Sequence, residues 1–188
     1  MASKRKHRRI RWGIVLLCAV LLVFCGGWLL RTWYPLSYTA EVEAAAEKYD
    51  VPPSLIYAVI HTESGFDPTA RSLAGAVGLM QVTVPTMEWA MMRCGIDGVP
   101  DEARLVAPAF NIEVGTCVLH LLGEQFCEQD TVLAAYNAGM GRVQTWLADT
   151  AYSTDGETLH TIPFKETRHY VTKVRLAQKI YQKLYGLP

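Results

Sequence analysis

Residues 55–81 read LIYAVIHTESGFDPTARSLAGAVGLMQ, and the fold of the chain depends on this stretch. Its first part predicts a helix, because apolar residues recur at the spacing of one helical face: Ile56, Val59 and Ile60. In the same register the next position on that face is Glu63. Ser64-Gly65 and Asp67-Pro68 follow directly and predict that the helix ends within a turn of Glu63. We therefore expect this carboxyl at the mouth of a buried surface, where desolvation raises its pKa and suits it to donate a proton near neutral pH.

The second half of the stretch predicts a loop in which backbone can approach a ligand closely. Gly75, Gly78 and the small residues Ala74 and Ala76 leave little side-chain bulk between this backbone and a bound molecule. Gln81 then supplies an amide that can both donate and accept hydrogen bonds. A glutamate in the last turn of an amphipathic helix is more often solvated or paired at the surface, and the loop is what gives Glu63 a chemical interpretation.

Charge divides the chain into a basic N-terminal segment and an acidic remainder. The net charge of the whole chain is zero, yet the first 31 residues carry seven bases and no acid. The rest has eleven bases and all eighteen acids, a net charge of −7, which argues against nucleic acid as its partner. Residues 12–30 contain no charge and are long enough to cross a bilayer as a helix.

These features predict a single-pass membrane anchor with its N-terminus inside. The predicted segments are a basic cytoplasmic tail at 1–11, a transmembrane signal anchor at 12–30, a linker at 31–37 and an exported domain at 38–188. A cleaved signal peptide needs small residues before the cut, and residues 25–35 offer no convincing site. Lipoprotein processing fits poorly too, because Cys18 follows Leu17 and Cys25 follows Phe24.

Three cysteines lie outside the predicted span: Cys94, Cys117 and Cys127. An odd number permits at most one disulfide among them and leaves one thiol over. The sequence does not choose the pair, and three small buried thiols are an equal alternative.

The exported domain is predicted to be mainly α, with a core of ordinary size. The predicted helices cover 38–49, 53–63, 87–93, 108–126, 131–138, 143–147 and 164–185. Residues 148–161 are polar and predict a surface loop. The loop around Gly75 and Gly78, which we call the glycine loop, could carry a small hairpin.

The sequence lacks several motifs of catalytic chemistry. There is no HExxH, no Cys-x-x-Cys and no acidic EF-type loop, so no metal site is predicted. No serine lies in a G-x-S-x-G elbow, and phosphate-binding loops are absent. His61, two residues from Glu63, is interpreted as structural or solvent-facing.

Carboxyl chemistry remains, with two further polar pairs, Tyr136-Asn137 and Glu166 with Tyr170 at i and i+4. By themselves these pairs are ordinary, Asn137 as a helix C-cap and the second as a surface contact.

Four ordered blocks carry a family resemblance: ESGFDPTARSLAGAVGLMQ, NIEVG, AAYNAGMGRVQTWL and IPFKETRHYV. Together they resemble the catalytic domain of the soluble lytic transglycosylases over residues 38–185. The resemblance implies an α+β lysozyme-like fold, a single helical domain around a glycan-binding cleft. It also implies an enzyme that cleaves peptidoglycan glycan strands, without a cofactor, on the cell-wall side of the bacterial cytoplasmic membrane.

The same resemblance implies roles for individual residues. Glu63 corresponds to the single catalytic acid/base, and the substrate-binding positions are Ser72, Gln81, Tyr136, Glu166 and Tyr170. The expected reaction cleaves the β-1,4 bond between N-acetylmuramic acid and N-acetylglucosamine and leaves a 1,6-anhydro end. Most glycosidases use two carboxyls, but the nearby Asp67 is better explained by capping its own turn.

The chain departs from the family pattern at two positions, Thr83 in place of a methionine and Val118 in place of a tyrosine. The first change affects one expected sugar subsite, and the second affects local packing.

Two other functions remain open, a lysozyme-type hydrolase in which Glu166 or Asp67 positions a water, and a catalytically silent peptidoglycan-binding scaffold. The sequence names no cell-wall machinery that would recruit the protein.

Overall fold

The computed structural model describes residues 17–18, 20–22 and 24–188. Two compact units follow from its contacts, Met1–Pro35 and Leu36–Pro188. In the first unit the described residues up to 33 are helical, and we label residues 24–33 α1. Within the described part of the chain, no helix has both the length and the hydropathy needed to cross a bilayer. The predicted tail and residues 12–16, 19 and 23 of the predicted anchor lie outside the described residues.

The second unit is mainly α-helical, as predicted. Its helices are α2 (Thr39–Tyr49), α3 (Pro53–Glu63), α4 (Val84–Cys94), a 3₁₀ helix η1 (Glu102–Val106), α5 (Pro108–Gln125), α6 (Gln129–Ala138), α7 (Met140–Leu147) and α8 (Lys165–Tyr185). The hairpin considered for the glycine loop consists of two isolated antiparallel bridges, Arg71 with Val77 and Val77 with Val82.

Helix α3 lies at the centre of this unit. Every residue from Ser54 to Ile60 is buried, so no face of these two turns meets solvent. The helix begins at Pro53, because a proline in the first turn sacrifices no intrahelical hydrogen bond. Helix α8 packs along α3, and the Tyr181 ring stacks on Tyr57 with centroids 5.3 Å apart. Since α3 is enclosed on all sides, the direction of its last residue is set by the core.

Several helix boundaries differ from the predicted ones. Helix α6 ends at Ala138 and is followed by Gly139, whose φ of 92° a glycine adopts without strain, and α7 begins at the next residue. Gly141 therefore lies inside α7 rather than in a break. Asn137 has no positive φ and does not cap the helix as its ordinary interpretation required. Helix η1 was not anticipated, because so short a segment has no periodicity to detect.

The structure also decides the cysteine pairing. Cys94 at the end of α4 forms a disulfide with Cys117 in α5, across 23 positions of sequence. Cys127 is exposed and unpaired, which excludes the alternative of three buried thiols. The disulfide joins the two helices on either side of η1.

Candidate active site

Glu63 is the last residue of α3 and is half-buried. Burial raises its pKa from the ordinary carboxyl value of 4.5 to about 7, and the neighbouring Tyr170 hydroxyl opposes part of this rise. The cause is desolvation, which disfavours the carboxylate relative to the neutral acid. A carboxyl with this pKa can hold a proton at neutral pH and also give it up.

Two tyrosines from different helices flank Glu63. Tyr136 in α6 donates a hydrogen bond from its hydroxyl to the carbonyl of Met80 at 2.9 Å. Tyr170 in α8 is buried, and its hydroxyl interacts with Glu63 without the geometry of a full hydrogen bond. Burial and the adjacent carboxyl raise the pKa of both phenols, so both hydroxyls remain protonated donors. The structure therefore brings three of the predicted site residues together.

Ser64, which the sequence analysis set aside, connects the end of α3 to the glycine loop. Its hydroxyl donates to the carbonyl of Leu79 at 2.8 Å, with a longer contact of 3.2 Å to the carbonyl of Ile60. The same oxygen accepts a hydrogen bond from the N–H of Phe66. A serine directly after a helix can form hydrogen bonds with many partners, so no local pattern indicates this one.

Asn111, in the NIEVG block of α5, is fully buried and forms hydrogen bonds with the backbone of the glycine loop. Its side-chain oxygen accepts from the N–H of Met80 at 2.7 Å, and its amide nitrogen donates to the carbonyls of Val77 and Leu105 at 2.9 and 2.8 Å. The loop passes so close that a Cβ on Gly78 would lie 2.3 Å from the Asn111 amide nitrogen. The absence of a side chain at Gly78 is thus a packing requirement, whereas the sequence suggested room for a ligand.

Gln81 and Ser72 help to shape the loop itself. The Gln81 amide nitrogen donates to the carbonyls of Ala70 and Gly78, and its backbone takes a left-handed φ of 49°. Ser72 is exposed, and its hydroxyl accepts from the N–H of Ala76 at 3.0 Å. Both residues therefore have structural partners, which leaves the Gln81 oxygen and the Ser72 hydroxyl hydrogen for other contacts.

The remaining carboxyls near the site occupy different environments. Glu166 is exposed in the first turn of α8. Asp67 is also exposed, and it accepts hydrogen bonds from the N–H and hydroxyl of Thr69 at 2.8 and 2.7 Å, which lower its pKa. Asp67 thus caps its own turn, as the sequence predicted. His61 is half-buried against the rings of Phe66 and Tyr181, and burial lowers its pKa.

The two departures from the family pattern have local consequences. Thr83 caps α4, with its hydroxyl 2.9 Å from that of Thr86. Val118 lies on the wall of a mostly apolar cavity of about 270 Å³, with Trp89 and Tyr136 among the other lining residues. In the described part of the chain, no group of three or more His, Cys, Asp or Glu residues is arranged to hold a metal ion.

Comparison with known proteins identifies the family. Residues 41–158 match the transglycosylase SLT domain, and the chain belongs to this family, as the sequence blocks predicted. The match ends before α8, so Glu166 and Tyr170 lie beyond it.

Curated relatives share about a third of their aligned residues with this chain. It is 34% identical over 159 residues to the soluble lytic murein transglycosylase of Escherichia coli K12, covering 84% of this chain and 25% of that protein. It is 34% identical over 167 residues to the membrane-bound lytic murein transglycosylase C of Shigella sonnei, covering 78% of this chain and 46% of that protein. The chain thus spans a quarter to a half of the length of these relatives.

Solved structures agree with the sequence comparison. An inactive mutant of the lytic transglycosylase Slt from Pseudomonas aeruginosa superimposes with a TM-score of 0.72 at 35% identity, over 82% of this chain and 25% of that one. The 70 kDa soluble lytic transglycosylase of Escherichia coli gives a TM-score of 0.74 at 32% identity, over 84% and 26%. That enzyme has also been solved with bulgecin A.

Proposed function

We propose that this chain is a peptidoglycan lytic transglycosylase in which Glu63 is the single acid/base. The observation that carries the proposal is a half-buried carboxyl whose pKa is raised to about 7, beside the buried Tyr170 and the half-buried Tyr136. A single-residue mechanism needs such a group, because the same carboxyl must first donate a proton and then accept one.

The proposed reaction has two steps. Protonated Glu63 donates its proton to the oxygen that links N-acetylmuramic acid to N-acetylglucosamine, and the bond from C1 to this oxygen breaks. The acetamido oxygen of the muramoyl residue stabilises the positive charge that develops at C1. Ionised Glu63 then accepts the proton of the C6 hydroxyl while the C6 oxygen bonds to C1, which closes the 1,6-anhydro ring. The carboxyl ends protonated, as it began, and no water is consumed.

The surrounding residues divide into positioning and binding roles in this proposal. Tyr170 stabilises the carboxylate between the two steps, because its hydroxyl favours the ionised form of Glu63. Tyr136 keeps the glycine loop in place through Met80. Ser72, Gln81 and Glu166 contact the sugars, and the hydrogen-bonding capacity left over at Ser72 and Gln81 is consistent with that role.

The named relatives support the same reading. The relatives at about 34% identity are lytic murein transglycosylases. The Pseudomonas aeruginosa structure is of an inactive mutant in which glutamine replaces a glutamate. We propose that Glu63 is essential in the same way as the glutamate replaced in that inactive mutant.

We also propose that residues 12–30 anchor the protein in the bacterial cytoplasmic membrane, with residues 1–11 inside and residues 38–188 facing the cell wall. The support is the uncharged length of this segment, the cluster of bases before it and its flanking aromatics. A protease-protection assay on intact spheroplasts tests the orientation, because an exported domain is degraded and a cytoplasmic one is protected.

Digestion of purified peptidoglycan by the full chain in non-ionic detergent, followed by mass spectrometry, tests the reaction. Muropeptides with anhydro-muramic ends are expected, each lighter by one water than the hydrolysis product. Reducing ends in their place would establish the lysozyme-type hydrolase, with Glu166 or Asp67 positioning a water. Binding to the sacculus without release of fragments would establish the silent scaffold.

A further inference from the structure

The basic residues of the second unit are concentrated on one helix, α8. Residues 38–188 contain eleven bases and eighteen acids, and six of these bases but only one acid lie in α8. The rest of these residues therefore carries five bases against seventeen acids. The bases of α8 are all exposed: Lys165, Arg168, Lys173, Arg175, Lys179 and Lys183.

These six residues form one continuous surface, which we call the basic stripe. At 3.6 residues per turn they fall within an arc of about 160°, opposite the buried face of the helix. His169 and Leu176 lie near the middle of this arc, and Glu166, the only acid, lies at its edge. From Lys165 to Lys183 the stripe is about 27 Å long. A row of like charges of this length creates a positive potential that attracts anionic groups.

Most of the stripe has no internal partner. Arg175 pairs with Asp130 at 2.7 Å, and Arg168 donates to the carbonyls of Ile162 and Pro163. The lysines take part in no ion pair within the described part of the chain: Lys165, Lys173, Lys179 and Lys183. An exposed charged face usually needs no explanation beyond solubility. Here, however, the rest of residues 38–188 carries five bases against seventeen acids, whereas α8 has a net charge of +5.

The stripe begins at the catalytic end of the helix. Tyr170, in the second turn of α8, interacts with Glu63. Lys165 therefore lies near the candidate active site, and the other lysines follow at increasing distance along the helix. The stripe lies on the face of α8 opposite the buried Tyr170, so a polymer whose backbone occupies the site reaches it with flexible charged side groups that pass the N-terminal end of the helix.

We infer that the basic stripe binds the carboxylates of the peptide side chains carried by the peptidoglycan strand. The inference rests on the proposed function, because it takes the strand in the cleft as the source of the carboxylates. Lysine suits this role, since its ammonium is a hydrated point charge on a flexible stem and tolerates carboxylates at irregular positions.

Other anionic partners fit this surface less well. A helix that lies on a membrane inserts an apolar face, whereas the apolar face of α8 is turned into the core. Only Leu176 among the large hydrophobic residues interrupts the exposed face of the helix. Nucleic acid would be repelled by the rest of residues 38–188, which carries seventeen acids against five bases.

The test replaces three lysines far from the site, Lys173→Gln, Lys179→Gln and Lys183→Gln, in the full chain. Its matched control, Met92→Glu, Val99→Glu and Gln144→Glu, makes the same change of −3 in net charge at exposed positions outside α8. Binding is measured by sedimentation with sacculi freed of other wall polymers. The same sacculi stripped of peptides by an amidase, and anionic phospholipid vesicles, are the two comparison ligands.

The lysine variant should bind peptide-bearing sacculi at least about tenfold more weakly at low salt, with the difference lost in high salt. Its binding to stripped sacculi, and its anhydro products from them, should match those of the parent chain. Unchanged binding, an equal loss on stripped sacculi, an equal loss in the control, or a loss confined to vesicles would each overturn the inference. Failure of the parent chain to form anhydro products would instead count against the proposed function.

Discussion

The side-chain oxygen of Asn111 accepts a hydrogen bond from the backbone N–H of Met80 at 2.7 Å, and both residues are fully buried. The carbonyl of Met80 in turn accepts the hydroxyl of Tyr136 at 2.9 Å. One peptide segment of the glycine loop is thus held by α5 on one side and by α6 on the other. Since Tyr136 also adjoins Glu63, the loop and the carboxyl share a common support.

Replacing Asn111 with alanine should destabilise the protein by about 3 kcal/mol or more, because buried N–H and C=O groups of the loop lose their partners. The free energy of unfolding from urea titration measures this. Asn137→Ala is the matched control, because Asn137 is exposed, and it should change stability by less than about 0.5 kcal/mol. Equal effects of the two substitutions would contradict the supporting role of Asn111.

Two glycine-to-alanine substitutions should have opposite effects. At Gly78 a Cβ would lie 2.4 Å from the carbonyl oxygen of Leu105, and the backbone φ is +83°, so the protein should lose stability. At Gly123 in α5 a Cβ meets nothing within 4 Å, and helix propensity should add up to about 1 kcal/mol. The thermal unfolding temperatures of both variants test this prediction. A Gly78→Ala protein as stable as the parent would show that the loop can move away from α5.

Glu63→Gln should reduce the release of anhydro-muropeptides by at least about 10³-fold, because the amide can neither donate nor accept the transferred proton. Binding to sacculi should be retained, since glutamine has nearly the same shape. Glu88→Gln, an exposed position of α4, is the control and should leave release unchanged. Release at the parent rate by Glu63→Gln would remove this residue from the mechanism.

The reaction rate should decline as the pH rises above about 7, because Glu63 must be protonated to donate and its pKa is about 7. The Tyr170 hydroxyl lowers that pKa by favouring the carboxylate. Tyr170→Phe should therefore move the alkaline limb of the kcat/KM profile to higher pH, in addition to any loss of rate. A limb at the same pH in both proteins would assign the titration to another group.

Stability should also depend on Glu63. Its pKa is higher in the folded protein than in the unfolded chain, so the folded state retains a proton that the unfolded state releases between pH 4.5 and 7. This contribution is complete below pH 4.5 and lost as the pH rises through 7. Glu63→Gln, which cannot ionise, should therefore gain about 3 kcal/mol over the parent at pH 8 and little at pH 4. Urea titrations at the two pH values test the difference.

Local sequence patterns were sufficient for the helices and for Glu63. The apolar register of α3 and the turn residues after it predicted where Glu63 lies, because that position depends on neighbours within one turn. They predicted the direction of its pKa shift only through the expectation that this face of the helix is buried, and the burial itself depends on the packing of the other helices. The buried run of α6 and the amphipathic α8 were predicted for the same reason. The sequence blocks also gave the family, because they are long, ordered and correctly spaced.

Long-range contacts could not be predicted in this way. The sequence left the cysteine pair open, since pairing Cys94 with Cys117 requires knowing that α4 lies against α5. It also missed Ser64 and Asn111, whose partners in the glycine loop lie 15 and 31 positions away in the chain. A polar side chain can form a hydrogen bond with many groups, and only the packing of the helices decides which of them it meets.

The sequence by itself thus determined which segments are α-helical, which residue is the candidate acid and to which family the chain belongs, because periodicity and motif spacing are properties of neighbouring residues. The tertiary structure alone decided which side chains surround that acid and where the charges of the domain collect. Desolvation of Glu63 and exposure of the α8 lysines on one face both depend on which faces the core encloses, and that follows from how the helices pack.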